Sequence, residues 1–169
     1  MAELTNFSVI YESFLHTVTD DMYISWSQED TEQDLEGFLL SAIASFRYPQ
    51  KNLRDYDLVK KVFNVKLSLE EIKILTLLMV IEWLNRQMTT VRLTELQYTG
   101  SDAKILNTKS QLLALVELKK DYTLQYEKNL FYYHNHSVDE NGRISSIDRH
   151  LSGKGTNNNE LLQNVRNSR

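Results

Sequence analysis

The sequence predicts a mainly α protein: a small bundle of about four helices with a long C-terminal helix and an extended polar C-terminal tail. Three observations predict it. One proline and five glycines in 169 residues leave few points at which a helix must break. Apolar residues recur at spacings of three and four along most of the first 133 positions, the period of a helix with one buried face. Cysteine is absent, which excludes disulfides and thiolate metal sites and leaves packing to hold the core. The same absence fits a reducing compartment.

Phe7, Ile10, Tyr11, Phe14, Leu15 and Val18 form the stripe of a first helix, about Asn6 to Val18. Residues 19–28 break the period and read as a loop. Asp30 or Thr31 is the expected cap of a second helix, with acidic residues in its first turn, where they suit the helix dipole. Leu35, Phe38, Leu39, Ala42, Ile43 and Phe46 are its inner face, and Pro49 forces Tyr48 out of helical geometry. Val62 to Leu67 alternates weakly, as a short strand or an extended connector does.

The third helix has the clearest start. In Ser68-Leu69-Glu70-Glu71 the hydroxyl can accept from the amide of Glu71 while the glutamate reaches back, a capping box. From Ile72 to Met88 the residues are apolar nearly all round, so this helix is expected at the centre, with Trp83 and Leu84 buried. The apolar run Ile72 to Leu84 is too short to cross a bilayer. Thr89 to Lys104 reads as a polar loop, with Gly100 suited to a left-handed turn. A long fourth helix covers about Ile105 to Tyr133. Leu112, Leu115, Val116, Lys119 and Tyr122 fall on one side, and Leu113, Tyr126 and Leu130 extend the pattern.

These helices make residues 1–134 a helical core. Residues 135–169 are rich in Asn, Ser, His and Gly, and read as a tail that a partner orders. Ile144, Ile147 and Leu151 are spaced like anchors on a short helix, as are Leu161, Leu162 and Val165. Both clusters are candidate docking residues.

The chain yields no pattern of catalysis or cofactor binding. His134-Asn135-His136 lacks the dispersed residues of a metal-dependent nuclease site. No histidine pair has metal-ligand spacing, and Ser152-Gly153-Lys154-Gly155-Thr156 lacks the upstream glycine and strand of a phosphate loop. The reading is therefore a non-enzymatic chain with no cofactor. The N-terminus lacks the basic-then-apolar run of a secretory signal.

Charge is uneven although the net value is only −4. The first basic residue is Arg47, and nine acidic residues precede it; from there on 19 basic residues face 14 acidic ones. Such asymmetry suits either a solvated acidic helix face or an acidic surface that meets a basic one on a neighbouring subunit. The acidic pI and the lack of a basic stripe argue against specific nucleic-acid binding. Nine tyrosines, several near the end of the last helix, offer the amphipathic contact area that interfaces favour.

Ile81-Glu82-Trp83-Leu84 with Gln87, then Tyr98-Thr99-Gly100-Ser101-Asp102 and Lys104, then Ser110-Gln111 and Leu118-Lys119-Lys120 give the chain a family resemblance. With the leading segment Tyr11 to Asp21 and the acidic helix after it, residues 10–130 resemble the head–tail connector (adaptor or neck) proteins of long-tailed bacteriophages. The resemblance implies a twelvefold ring beneath the portal, in the neck of the virion, assembled in the host cytoplasm. Its partners would be the portal protein and a further neck or tail-completion protein, with DNA passing through the central channel. It casts Tyr98, Gly100, Ser101, Asp102 and Lys104 as a subunit contact. Ile144, Ile147, Leu151, Leu161, Leu162 and Val165 would dock on the portal. Asp20, Asp21, Glu29, Asp30, Glu32, Asp34 and Glu36 would line the channel, where carboxylates repel phosphate. The competing expectation is a small helical regulatory or adaptor protein that binds one protein partner transiently.

Overall fold

The computed structural model describes residues 4–18, 21–97, 102–138 and 144–146. The chain divides into two units, Met1–Phe131 and Tyr132–Arg169. The fold is mainly helical, with five helices and short strands among the described residues.

In the first unit, β1 (Thr5–Asn6) leads directly into α1 (Phe7–Thr17). Asn6 caps that helix by accepting the amide of Ser8 at 3.0 Å. The expected loop after α1 contains a short helix instead, α2 (Asp21–Ser25). The next helix, α3 (Gln28–Ser45), starts earlier than its acidic residues suggested. Ser27 is the cap: its hydroxyl accepts the amide of Asp30 at 3.1 Å and donates to the Asp30 carboxylate at 2.6 Å. Asp30 thus completes the cap from inside the first turn. At the far end α3 stops at Ser45, before Pro49 can act, and Tyr48 adopts φ 53°.

Two further strands, β2 (Tyr56–Asp57) and β3 (Val62–Phe63), complete a small antiparallel sheet in the order β1-β3-β2. Phe63 lies opposite both Thr5 and Tyr56. Sequence periodicity pointed only to a strand near Val62, since two-residue strands are too short to show alternation. The turn between β2 and β3 is held by Asp57, whose Oδ1 accepts the amides of Val59 at 2.9 Å and Lys60 at 3.1 Å. The sheet seats the start of α1: the Phe7 amide donates to Lys61 O at 2.9 Å, and the Phe7 ring lies 4.8 Å from that of Phe63.

α4 (Leu69–Gln97) is the central element, and both α1 and α3 pack on it. Its capping box forms as expected: Glu71 N–H donates to Ser68 Oγ at 3.2 Å, and Glu71 Oε2 accepts the Ser68 amide at 2.7 Å. Every residue from Ile74 to Val80 is buried, including Thr76. The Thr76 hydroxyl donates to Ile72 O at 2.9 Å and lies 3.0 Å from Ser13 Oγ, a polar contact from α4 to α1. Leu84 is fully buried, but Trp83 is only half-buried, and burial on every side ends at Val80, about two turns before Met88. The expected loop from Thr89 is also helix as far as Gln97. Thr89, Thr90 and Thr94 each donate a hydroxyl to the carbonyl four residues back, so these polar side chains bond within the helix rather than in a turn.

α5 (Asp102–Asn135) is the longest helix. Leu112, Leu115, Lys119 and Tyr122 share a half-buried face, and Tyr126 on that face is buried. Leu113 and Val116 do not join it, being 70% and 43% exposed.

In the second unit, β4 (His136–Val138) pairs antiparallel with β5 (Ile144–Ser146), so that Val138 faces Ile144. Ile144 therefore sits on a strand, not on the short helix its spacing to Ile147 and Leu151 suggested.

Three phenols are held above the usual tyrosine range, and burial is the first cause for each. For Tyr11 the charges of Glu36 and Glu32 add to it, and for Tyr23 the hydrogen bond to Asp34. For Tyr126 the backbone and charge of Arg47 oppose it. A raised folded pKa means stability that is complete below the unfolded value near 10 and lost as pH rises beyond it. Absorbance titration of tyrosinate should show these three lagging until the chain unfolds in alkali. Wild type and Tyr11→Phe titrating identically in that region would refute this assignment for Tyr11.

Candidate protein-interaction surfaces

The first surface is built where α2 and the loop after it meet α3. Trp26 stands edge-on to Tyr23, with ring centroids 5.9 Å apart, and is 38% exposed. Beside it lies an open cleft of about 400 Å³ lined by Trp26, Asp30, Gln33 and Asp34. One wall is a cross-linked network: Tyr23 donates to Asp34 Oδ2 at 2.9 Å, and Arg86 of α4 forks onto both Asp34 oxygens, with Nη2 at 3.0 Å. The Arg86 guanidinium also covers the Phe38 ring, 4.4 Å from its centroid. Burial pulls the Arg86 pKa down, and the bond and charge of Asp34 more than offset this, leaving it raised.

Asp34 is therefore tied to Arg86. Glu32 is likewise tied to Lys61, with Nζ 2.7 Å from Oε2; that bond holds the carboxyl below the usual glutamate range. Of the acidic residues proposed for a channel wall, Glu29 and Asp30 are exposed and Glu36 is partly so. The side chain of Asp21, at the start of α2, and the whole of Asp20 lie outside the described residues.

The second surface is the outer side of α5. Leu113 and Val116 are joined there by Leu124, 65% exposed, and Phe131, 64% exposed. At 100° per residue these four, with Lys120 and Glu127 among them, fall within a narrow stripe about 27 Å long. It lies about 120° around the helix from the half-buried face, and it is what sequence reasoning missed. The sequence reading put Leu113 and Val116 in one pattern with Leu112 and Leu115 and did not single out Leu124 or Phe131, because spacing alone does not tell a covered face from an exposed one.

Tyr98, Gly100 and Ser101 lie outside the described residues. Asp102 and Lys104 open α5, with side chains that are also outside them. Ile147, Leu151, Leu161, Leu162 and Val165 are outside them as well. Among the described residues no group of three or more His, Asp or Glu stands ready to hold a metal ion. Among them, too, no helix is long and apolar enough to cross a membrane. No known protein family, curated protein or solved structure matches the chain.

Proposed function

We propose that this chain is a non-enzymatic assembly protein that works by binding other protein chains, in the specific form of a head–tail connector of a tailed bacteriophage. The observation that carries the binding part is the solvent-exposed apolar stripe of α5. Four large apolar side chains in line along about five turns are costly to leave in water, and such rows mark contact surfaces. The connector part rests on the family resemblance across residues 10–130.

On this reading the chain contributes to a ring beneath the portal, with the segment from residue 135 onward docking on the portal. Head-to-tail contacts close into a ring when the rotation between subunits permits, and they need two different, complementary surfaces. The acidic stretch ahead of Arg47 and the more basic remainder supply them. Glu29 and Asp30 would face the channel and let DNA slide without sticking.

Immunogold labelling with antibody raised against the full chain tests this on purified virions of the phage that encodes it. Gold at the junction of head and tail is the expected result. Virions without label, with the chain left in the cell lysate, would overturn the connector reading in favour of a transient adaptor.

A further inference from the structure

We infer that α5 pairs with α5 of a second copy of this chain, antiparallel, about a two-fold axis between Thr123 and Leu124. This deepens the proposed function and rests on its reading of α5 as a protein-binding face. It names the occupant of that face before a larger assembly forms.

Leu113, Val116 and Leu124 need an apolar cover, Phe131 adds a ring that is 64% exposed at the far end, and Lys120 and Glu127 sit in the same row. No salt bridge among the described residues engages either charge. A partner that covers the leucines must therefore answer a positive and a negative charge seven residues apart. A second α5 running the same way answers them badly, because lysine meets lysine and glutamate meets glutamate.

Running the opposite way, one register answers both. With the axis between Thr123 and Leu124, Lys120 faces the partner's Glu127 and Glu127 faces the partner's Lys120. The same register sets Val116 against the partner's Phe131, and the reverse, at each end. Sliding the helices by three residues would set Leu113 against the partner's Phe131. It would also bring Glu117 onto the partner's Glu127 and bury Lys120 against the partner's Leu124. The charges thus choose the register that the leucines alone leave open. A groove of about 450 Å³ beside Val116, Lys120, Thr123 and Leu124 lies at the centre of this contact and can admit the partner's side chains.

The pairing is isologous, with the same patch on both copies, so it closes on itself as a dimer. A cyclic ring uses head-to-tail contacts instead. The pair is accordingly the form held before assembly, and separating it uncovers the stripe for a neighbour or the portal.

Sedimentation of the full chain tests this. Wild type is expected to be dimeric, and Lys120→Glu or Glu127→Lys alone should weaken the dimer by at least about tenfold. The double swap Lys120→Glu with Glu127→Lys should restore it, because the reversed charges meet again across the axis. The chain has no cysteine, so Leu124→Cys is a unique thiol and should form a disulfide-linked dimer on mild oxidation, while Lys109→Cys should not. The proposal is overturned by a wild-type monomer at about 100 µM, by single swaps as tight as wild type, or by a double swap weaker than either single one. A monomer together with gold at the virion neck would remove the pairing and leave the connector reading standing. A rescued dimer absent from virions would do the reverse.

Discussion

Replacing Phe7 with alanine is expected to destabilise the first unit by about 3–5 kcal/mol, the usual range for emptying a fully buried aromatic site. Phe7 is 0% exposed and touches three other rings, those of Phe63, Tyr56 and Tyr11. It is also the residue at which β1 becomes α1, and its amide donates to Lys61 O. The cavity therefore opens beneath both the sheet and the helix, and neither can close it without leaving the other. Urea unfolding measures the loss, and amide exchange at Phe63 should quicken in step with it. Phe7→Leu refills most of the volume and should recover more than half. A loss below about 1 kcal/mol for the alanine variant would mean that the site collapses freely and that the sheet does not brace α1.

Glu71→Ala should cost about 2–3 kcal/mol, the second largest single effect expected. This carboxylate is 1% exposed, yet it makes the capping bond to the Ser68 amide and a 3.0 Å salt bridge to Lys51. Removing it strands the Ser68 amide at the entrance of the central helix. Lys51 suffers less, because its side chain is 39% exposed and also reaches Lys66 O at 2.5 Å. Glu71→Gln keeps an acceptor for the amide and loses only the ion pair, so it should retain most of the stability. Equal losses for the two variants would show that the salt bridge, and not the cap, carries the energy.

The contrast between those two sites shows what a sequence of this kind makes legible. The Ser68–Glu71 cap is a local pattern, with donor and acceptor three residues apart, and it is visible before any fold is known. So is the core face of α4, whose residues are apolar in every direction. The network of Tyr23, Asp34 and Arg86 is not visible, because its members are 11 and 52 residues apart and each alone resembles an ordinary polar residue. The sheet β1-β3-β2 is equally silent, since two-residue strands carry no period. The helical stretch Thr89–Gln97 was masked by composition: threonines suggest a loop until their hydroxyls are seen bonded to the preceding turn. For the candidate surfaces, the acidic stretch was plain in the sequence, but that Asp34 and Glu32 are engaged by Arg86 and Lys61 was not. The apolar content of α5 was plain as well, but which of its residues stay exposed depends on what the rest of the first unit covers.

The bond from the Leu67 amide to Thr5 Oγ1, 2.8 Å long and buried, spans 62 residues, and the hydroxyl contact from Thr76 to Ser13 spans 63. During synthesis the chain emerges from its N-terminus, so α1 leaves the ribosome long before the helix that will cover it. Phe7, Ile10 and Phe14 have no α4 to rest on until translation has passed Leu84, roughly half the chain. At about 5–20 residues per second, that is an interval of several seconds or more in which an apolar helix is exposed beside other nascent chains. Chaperone demand for this protein should therefore peak between the emergence of α1 and that of α4, and a ribosome paused in that interval would hold its most aggregation-prone form.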